Sequence, residues 1–483
     1  MERLKALAAL HSQSCASGLS EENLRPHLKD PDLLQAVEYA EKRLEPLRKD
    51  SFLQKSETEQ IRVLQERLVN FYPPDNVNPY VALAACGPWV ITTAGGVIYD
   101  TGGYGMLGFG HAPKVLQDVM SEPHVMANVM TASLEHRRFT NLLDAEIGRS
   151  RKEKPFEGYA CLNSGSEGVT IALRMSDAHA AKRRKKDQKT VFVSLKGSFH
   201  GRTDRPAQVS DSCMAAYQKN LASFQDRKNL ITVEPNDIEE LKQVFTQFKK
   251  DGVLVEAMLM EPVMGEGNPG LSVTPEFYQE ARRLTREAGA FLIVDSVQAG
   301  LRTTGCLSLL DYPGFENVEG PDCEVWSKAV NGGQYPLSVV GVKKQDYYAM
   351  GTYGNTMTGN PRALAVGCAV LEQVQEDFRQ HVRHMGECFV SAFQDLKKDF
   401  PDVITEVQGT GLLFSIGIHP EAFDVLGPDG LEVWLRRHGL GVIHGGTNSL
   451  RFTPIFRVTK EQIKLVVDVV RQSFQSAERK KKS

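Results

Sequence analysis

No apolar run in this 483-residue sequence is long enough to span a membrane, which sets aside the integral membrane classes. Eight cysteines, at 15, 86, 161, 213, 306, 323, 368 and 388, form no CxxC pair and no Cys/His cluster. That scatter argues for reduced thiols in a cytosol-like compartment and against a metal site. Neither charge sign dominates: 57 Lys and Arg stand against 60 Asp and Glu, a formal charge of −3. Electrostatics therefore give no case for a nucleic-acid or membrane partner. A nucleotide P-loop pattern is missing, and the glycine-rich run Gly102 to Gly110 does not fit the dinucleotide fingerprint.

What is present is ordinary globular composition, 41% hydrophobic and 24% charged, in a chain long enough for two domains. Leu33, Leu34, Val37, Ala40 and Leu44 recur at helical spacing, as do Ile61, Leu64 and Leu68, so residues 1 to about 75 read as helical. The first twenty residues carry bases, serines and few acids. Glu2 and the shortness of the pattern favour an amphipathic start over an organellar address, so the expected location is cytoplasmic, with mitochondrial as the second reading. From Trp89 the chain alternates around Gly95-Gly96, which predicts a small hairpin sheet.

The densest chemistry lies between Phe291 and Val342. Phe291-Leu292-Ile293-Val294 reads as a strand buried on both faces that delivers Asp295 at its carboxyl end. Cys323 to Trp326 reads as a second strand, delivering Ser327 and Lys328 into a turn at Asn331-Gly332-Gly333. In open α/β sheets ligands sit beyond the carboxyl ends of strands. An acid and an amine placed there form either a structural ion pair or the two poles of a cofactor site.

Other strand ends add parts. Asn163-Ser164-Gly165-Ser166-Glu167 follows a short strand and opens a helix, as a plain cap or as an anion cradle suited to phosphate. Phe199-His200-Gly201-Arg202-Thr203 follows the strand Thr190 to Ser194; its aromatic and arginine suit a planar ring and a carboxylate. Ala257 to Met260 is a further strand, ending at Glu261-Pro262 and running through Gly265-Glu266-Gly267; a helix over 275–288 follows. Strand and helix alternate as in a mostly parallel sheet covered by helices, an α/β class. After about 359 the pattern changes to helix and strands over 411–418, 441–444 and 450–454, an α+β pattern in which Arg451 interrupts apolar residues. An imine-forming lysine, an acid able to pair with a ring nitrogen and a phosphate cradle together are what pyridoxal phosphate requires.

The motifs NSGSE (163–167), FHGRT (199–203), EPVMGEG (261–267), DSVQAG (295–300), SKAVNGGQYP (327–336) and NTMTGNP (355–361) stand in one order and at compatible separations. From Trp89 onward the chain resembles the class III (ω-) aminotransferases of fold type I, nearest in motif wording to those acting on ornithine and 4-aminobutyrate. The resemblance implies an N-terminal helical segment over 1–88, a large cofactor-binding domain over 89–358 and a small α+β domain over 359–483. It implies that Lys328 forms the internal aldimine of pyridoxal phosphate, a Schiff base, and that Asp295 pairs with the pyridine nitrogen. Gln298 would touch the ring hydroxyl, Phe199 stack on the ring, and Gly165 and Ser166 bind the phosphate. Thr356 would reach the phosphate of a neighbouring subunit, making the unit a homodimer with sites at the interface.

For substrate, the resemblance assigns Arg202 to a carboxylate far from the reacting amine and Arg451, with Glu266 as gating partner, to the α-carboxylate of glutamate. Tyr104 matches an aromatic favouring ornithine-type donors, and Glu261 joins the substrate-binding set. The implied reaction moves an amino group from an ω-amino acid, diamine or related amino acid to a keto acid such as 2-oxoglutarate. The sequence also departs from its relatives. Val77 replaces a tyrosine expected for ornithine, Ser296 replaces the glutamate after the aspartate, and Arg302-Thr303 displaces an arginine by one place. Thr303 stands where some relatives carry an iron-sulfur cysteine, so no cluster is expected. These departures keep open a second outcome on the same cofactor: racemisation or epimerisation, decarboxylation or replacement.

Overall fold

Seven strands form one sheet, in the order 158–162, 338–342, 323–326, 291–295, 254–260, 190–195 and 230–233, and Phe291–Asp295 is the middle one. The computed structural model describes residues 1–8, 17–47, 50–103 and 105–480. Contacts divide the chain into two compact units, Met1–Lys114 with His384–Ser483, and Val115–Arg383. The seven-stranded sheet lies in the second.

Five of its strands run parallel, with pairs such as Met260 beside Val294 and Asp295 beside Val325. Ser338–Val342 alone is antiparallel to both of its neighbours. The central strands are continuous hydrophobic runs because both faces are covered. Phe291, Ile293, Ala257, Leu259, Val325 and Val340 pack with Val169, Ala172, Leu173 and Met175 of the helix Gly165–Ala181. The alternate residues Leu292, Val294, Met258 and Met260 are also fully buried. Each such aliphatic side chain contributes on the order of 1.5–3 kcal/mol by leaving water. Gly168 sets the helix close to the sheet, since a Cβ there would lie 2.6 Å from Val325 Cγ1.

Local signals fix the helix ends. Ser164 caps Gly165–Ala181 reciprocally with Glu167: the serine hydroxyl accepts from Glu167 N at 3.3 Å, and the glutamate accepts from Ser164 N at 3.0 Å. Thr274 caps Pro275–Ala288, with Pro275 at its first position, and Gly289 ends it in a left-handed conformation (φ 65°).

In the other unit, Trp89–Thr92 and Val97–Asp100 form the expected antiparallel hairpin, with Ala82–Cys86 on one side and Leu440–Gly441 added in parallel on the other. A second, antiparallel sheet runs 404–410, 413–418, 449–452, 443–445. Within it Arg451 stands opposite Ser415 and Ile443, and the Phe414 and Phe452 rings stack at 5.2 Å. Among the described residues no helix is long and apolar enough to cross a membrane.

Candidate active site

Three adjacent parallel strands, 254–260, 291–295 and 323–326, end beside one another and supply Glu261, Asp295 and Lys328. The backbone past Trp326 cannot continue as strand, because Ser327 enters a short 3₁₀ turn, Lys328–Asn331, closed by the left-handed Gly332 (φ 59°). Asn331 ties the end of this turn to the chain that follows, accepting from Gly333 N at 2.8 Å and donating to Leu337 O at 2.9 Å, and the Ser327 hydroxyl donates to the same Leu337 O at 2.8 Å. Lys328 therefore points from a fixed base, and its Nζ donates to Gln298 Oε1 at 2.7 Å.

Gln298 is buried, and its Nε2 has no hydrogen-bond partner among the described residues. Its position is shaped by Gly265, where a Cβ would lie 2.8 Å from Gln298 Cδ. A buried amide donor without an acceptor costs about 1–3 kcal/mol unless a ligand supplies one. Beside it, Asp295 is 5% exposed and accepts from Val297 N at 3.1 Å. Its other oxygen, Oδ2, lies 2.8 Å from Nδ1 of His200, the one member of the FHGRT motif's Phe199-His200-Gly201-Arg202 run whose partner no local pattern marks. Only folding reveals this pair, since 95 residues separate its members.

Glu261 does structural work at this centre. Its oxygens accept from Phe199 N at 3.0 Å and Gly265 N at 2.8 Å, so one carboxylate ties the loop carrying Phe199 to the loop packed on Gln298. Burial raises its carboxyl to about 7. Phe199 is half-buried, and the Arg202 guanidinium lies 5.5 Å from its ring centroid. At the helix start, Gly165 fits against Val297, and Gly201 (φ 113°) against Ser166, where a Cβ would overlap the hydroxyl. Three motifs thus converge on one helix N-terminus, whose free amides form an anion cradle. Asn355 reaches the same cap, donating to Glu167 Oε1 at 2.6 Å, and the next residue, Thr356, is exposed. Glu266 is half-buried.

The departures are also in place. Ser296 donates to Glu324 Oε1 at 2.6 Å; Ser308 and Leu309 N complete the ring around that fully buried carboxyl, which burial raises to about 7. The hydroxyl that follows Asp295 is thus held by a carboxylate of the neighbouring strand. Arg302 is fully buried, and burial pulls its guanidinium down from its usual value. Leu301 before it holds a left-handed backbone (φ 61°), which costs about 1–2 kcal/mol in a residue other than glycine. Arg451 belongs to the other unit and is 1% exposed there. Tyr104 lies outside the described residues.

The arrangement fits pyridoxal phosphate: an amine for its carbonyl carbon, a buried acid, an unpartnered amide donor and a phosphate cradle. Comparison with known proteins agrees. The family model for aminotransferase class-III matches residues 71–474. Ornithine aminotransferase 2 of Staphylococcus aureus is 29% identical over 422 residues, covering 84% of this chain and 98% of that protein. Among solved structures, the ornithine aminotransferase of Toxoplasma gondii superposes with a TM-score of 0.74 at 23% identity, over 90% of this chain and 98% of that one. The acetylornithine aminotransferase of Elizabethkingia anophelis gives 0.69 at 26%, over 87% and 99%.

Proposed function

We propose, from the premise that this chain belongs to the class-III aminotransferases, that it moves the distal amino group of an ω-amino acid or diamine to a keto acid such as 2-oxoglutarate. It is a pyridoxal-phosphate-dependent transaminase of fold type I. The observation that carries the residue assignments is Lys328 on Gln298 beside the buried Asp295, at adjoining strand ends. The relatives named ornithine aminotransferase put ornithine first among donors to try.

Pyridoxal phosphate, when bound, supplies a carbonyl carbon for amines and a ring that accepts electrons. Asp295 would hold a proton on the ring nitrogen, and Gln298 Nε2 would donate to the ring oxygen. Phe199 would cover one ring face, and Gly165 and Ser166 would hold the phosphate. Lys328 Nζ, once a free amine, would be the base placed to hold and move the proton of the donor carbon that bears the amine. Arg202 and Arg451 are the candidate carboxylate grips, with Glu266 and Tyr104 as further substrate contacts; the bonds from Glu261 support a positioning role, at Phe199 and Gly265.

A second copy of the chain completes the assignment. Val125, Met126, Val129, Met130 and Leu134 are 64–89% exposed along one short segment, an apolar concentration that supports a contact surface there. Asn128 Nδ2 donates to Thr356 O at 3.0 Å and so ties this segment to Thr356, the residue assigned to the neighbour's phosphate.

The test is a half-reaction screen on cofactor-loaded protein, following loss of its visible absorbance with ω-amino acids, diamines and α-amino acids. Loss with ω-amino donors, with an aldehyde product, is expected. Inverted chirality or carbon dioxide release without amino transfer overturns the reading.

A further inference from the structure

Four buried side chains form a line that ends on Asp295. Ser198 Oγ lies 2.6 Å from Ser194 Oγ; Ser194 Oγ lies 3.2 Å from His200 Nε2; His200 Nδ1 lies 2.8 Å from Asp295 Oδ2. Ser194 and Ser198 are 0% exposed, His200 2% and Asp295 5%. The backbone holds the ring in register: His200 N donates to the Ser210 hydroxyl at 2.9 Å, and the one hydrogen of that hydroxyl is within reach of the carbonyls of Gly201 and Pro206, each 2.9 Å away.

The direction of the hydrogens follows from the two ends. Asp295, as a carboxylate, only accepts, so His200 Nδ1 carries a hydrogen. At the far end, were Nε2 also to donate, the hydroxyl hydrogens would have to point back through Ser194 to Ser198. Among the described residues the Ser198 hydroxyl has no acceptor other than Ser194. The satisfied arrangement runs the opposite way: Ser198 donates to Ser194, Ser194 donates to Nε2, and Nδ1–H donates to Asp295. Which nitrogen of an imidazole carries its hydrogen is set by the bond the other one makes.

We propose that Ser194 is a positioning residue: its hydroxyl fixes His200 as a single-hydrogen imidazole with Nδ1–H on Asp295, so that the negative charge stays on the carboxylate facing the cofactor. The ionisable groups about the ring are Asp295, from the strand end, and Glu261, from the neighbouring strand end and held by Phe199 N and Gly265 N. A second hydrogen on His200 would neutralise Asp295 as a counter-ion for the ring nitrogen, and the Ser194 donor opposes it. This rests on the reading that Asp295 faces that nitrogen.

The test separates the two claims by starting with cofactor-free protein. Nitrogen NMR of protein labelled at histidine, with His200→Gln to assign the ring, is expected to show one protonated and one bare nitrogen for His200 at neutral pH. In Ser194→Ala the two signals draw together, and Ser194→Thr, which keeps the hydroxyl, restores the parent pattern. In loaded protein, the pH midpoint of the visible band moves in Ser194→Ala by roughly half a unit or more, and Ser194→Ala adds nothing further in a His200→Gln background. Should Ser194→Ala fail to fold, Ser194→Cys carries the test, because a thiol is a weak donor and must shift the signals the same way. Two protonated nitrogens in the parent, or an unchanged nitrogen pattern in the folded variant, overturns the proposal. A merely structural hydroxyl would change the melting temperature and leave both readouts where they are.

Discussion

Lys328 Nζ donates to Gln298 Oε1 at 2.7 Å, while the buried Gln298 amide nitrogen has no acceptor among the described residues. The bond fixes both side chains: the amine is held by the amide oxygen, and the amide nitrogen is a buried donor suited to a ligand oxygen.

Gly265 holds that pair in place. In Gly265→Ala the new methyl meets Gln298 Cδ at 2.8 Å and pushes the amide off its position. Such overpacking costs about 1–3 kcal/mol, so cofactor affinity should fall about tenfold or more. Equilibrium dialysis checks it, with the melting curve of cofactor-free protein as the control.

Asp295→Asn keeps the shape and removes the charge. The amide can still accept from Val297 N through its oxygen, but its nitrogen then faces His200 Nδ1, whose hydrogen must move to Nε2. The amide cannot hold a proton on a ring nitrogen, and kcat should fall by about 10²–10⁴. Steady-state kinetics beside circular dichroism separate this from unfolding.

Glu324 gives the fold a pH dependence of known sign. Burial lifts its carboxyl from 4.5 to about 7, so the native state binds this proton more tightly than the unfolded chain does. Its share of stability is therefore full below about 4.5, falls as pH climbs to about 7, and is level above. Glu324→Gln lacks the slope. The parent should lose on the order of 3 kcal/mol relative to the variant across that window, read from urea unfolding at several pH values.

The exposed apolar surface makes its own prediction. Met130 is 89% exposed, and a charge there costs a lone subunit little. Met130→Glu should turn a dimer into monomers by light scattering and weaken phosphate retention, because Thr356 would no longer reach its neighbour. A parent that is already monomeric would contradict the assignment.

Much of this was legible because buried parallel strands write themselves as short apolar runs that stop at a functional residue. Phe291 to Asp295 and Cys323 to Lys328 are such runs. His200 was not legible as a partner of Asp295, since nothing local marks a contact across 95 residues. Glu324 carried a usable signal: a charge inside a wholly buried strand needs partners, and Ser296, where relatives carry a glutamate, was one of them. The strand Ile404–Thr410 escaped because only Ile404 and Val407 in it are buried, which breaks the two-residue alternation, and a glycine stands near its end.

The central claim is that Lys328 is the lysine that holds the cofactor. Loading the protein with pyridoxal phosphate, reducing it with borohydride and mapping the adduct by peptide mass spectrometry tests this directly. One reduced adduct is expected, on the peptide carrying Lys328, and none in Lys328→Ala. An adduct on another lysine, or none in the parent, would contradict it.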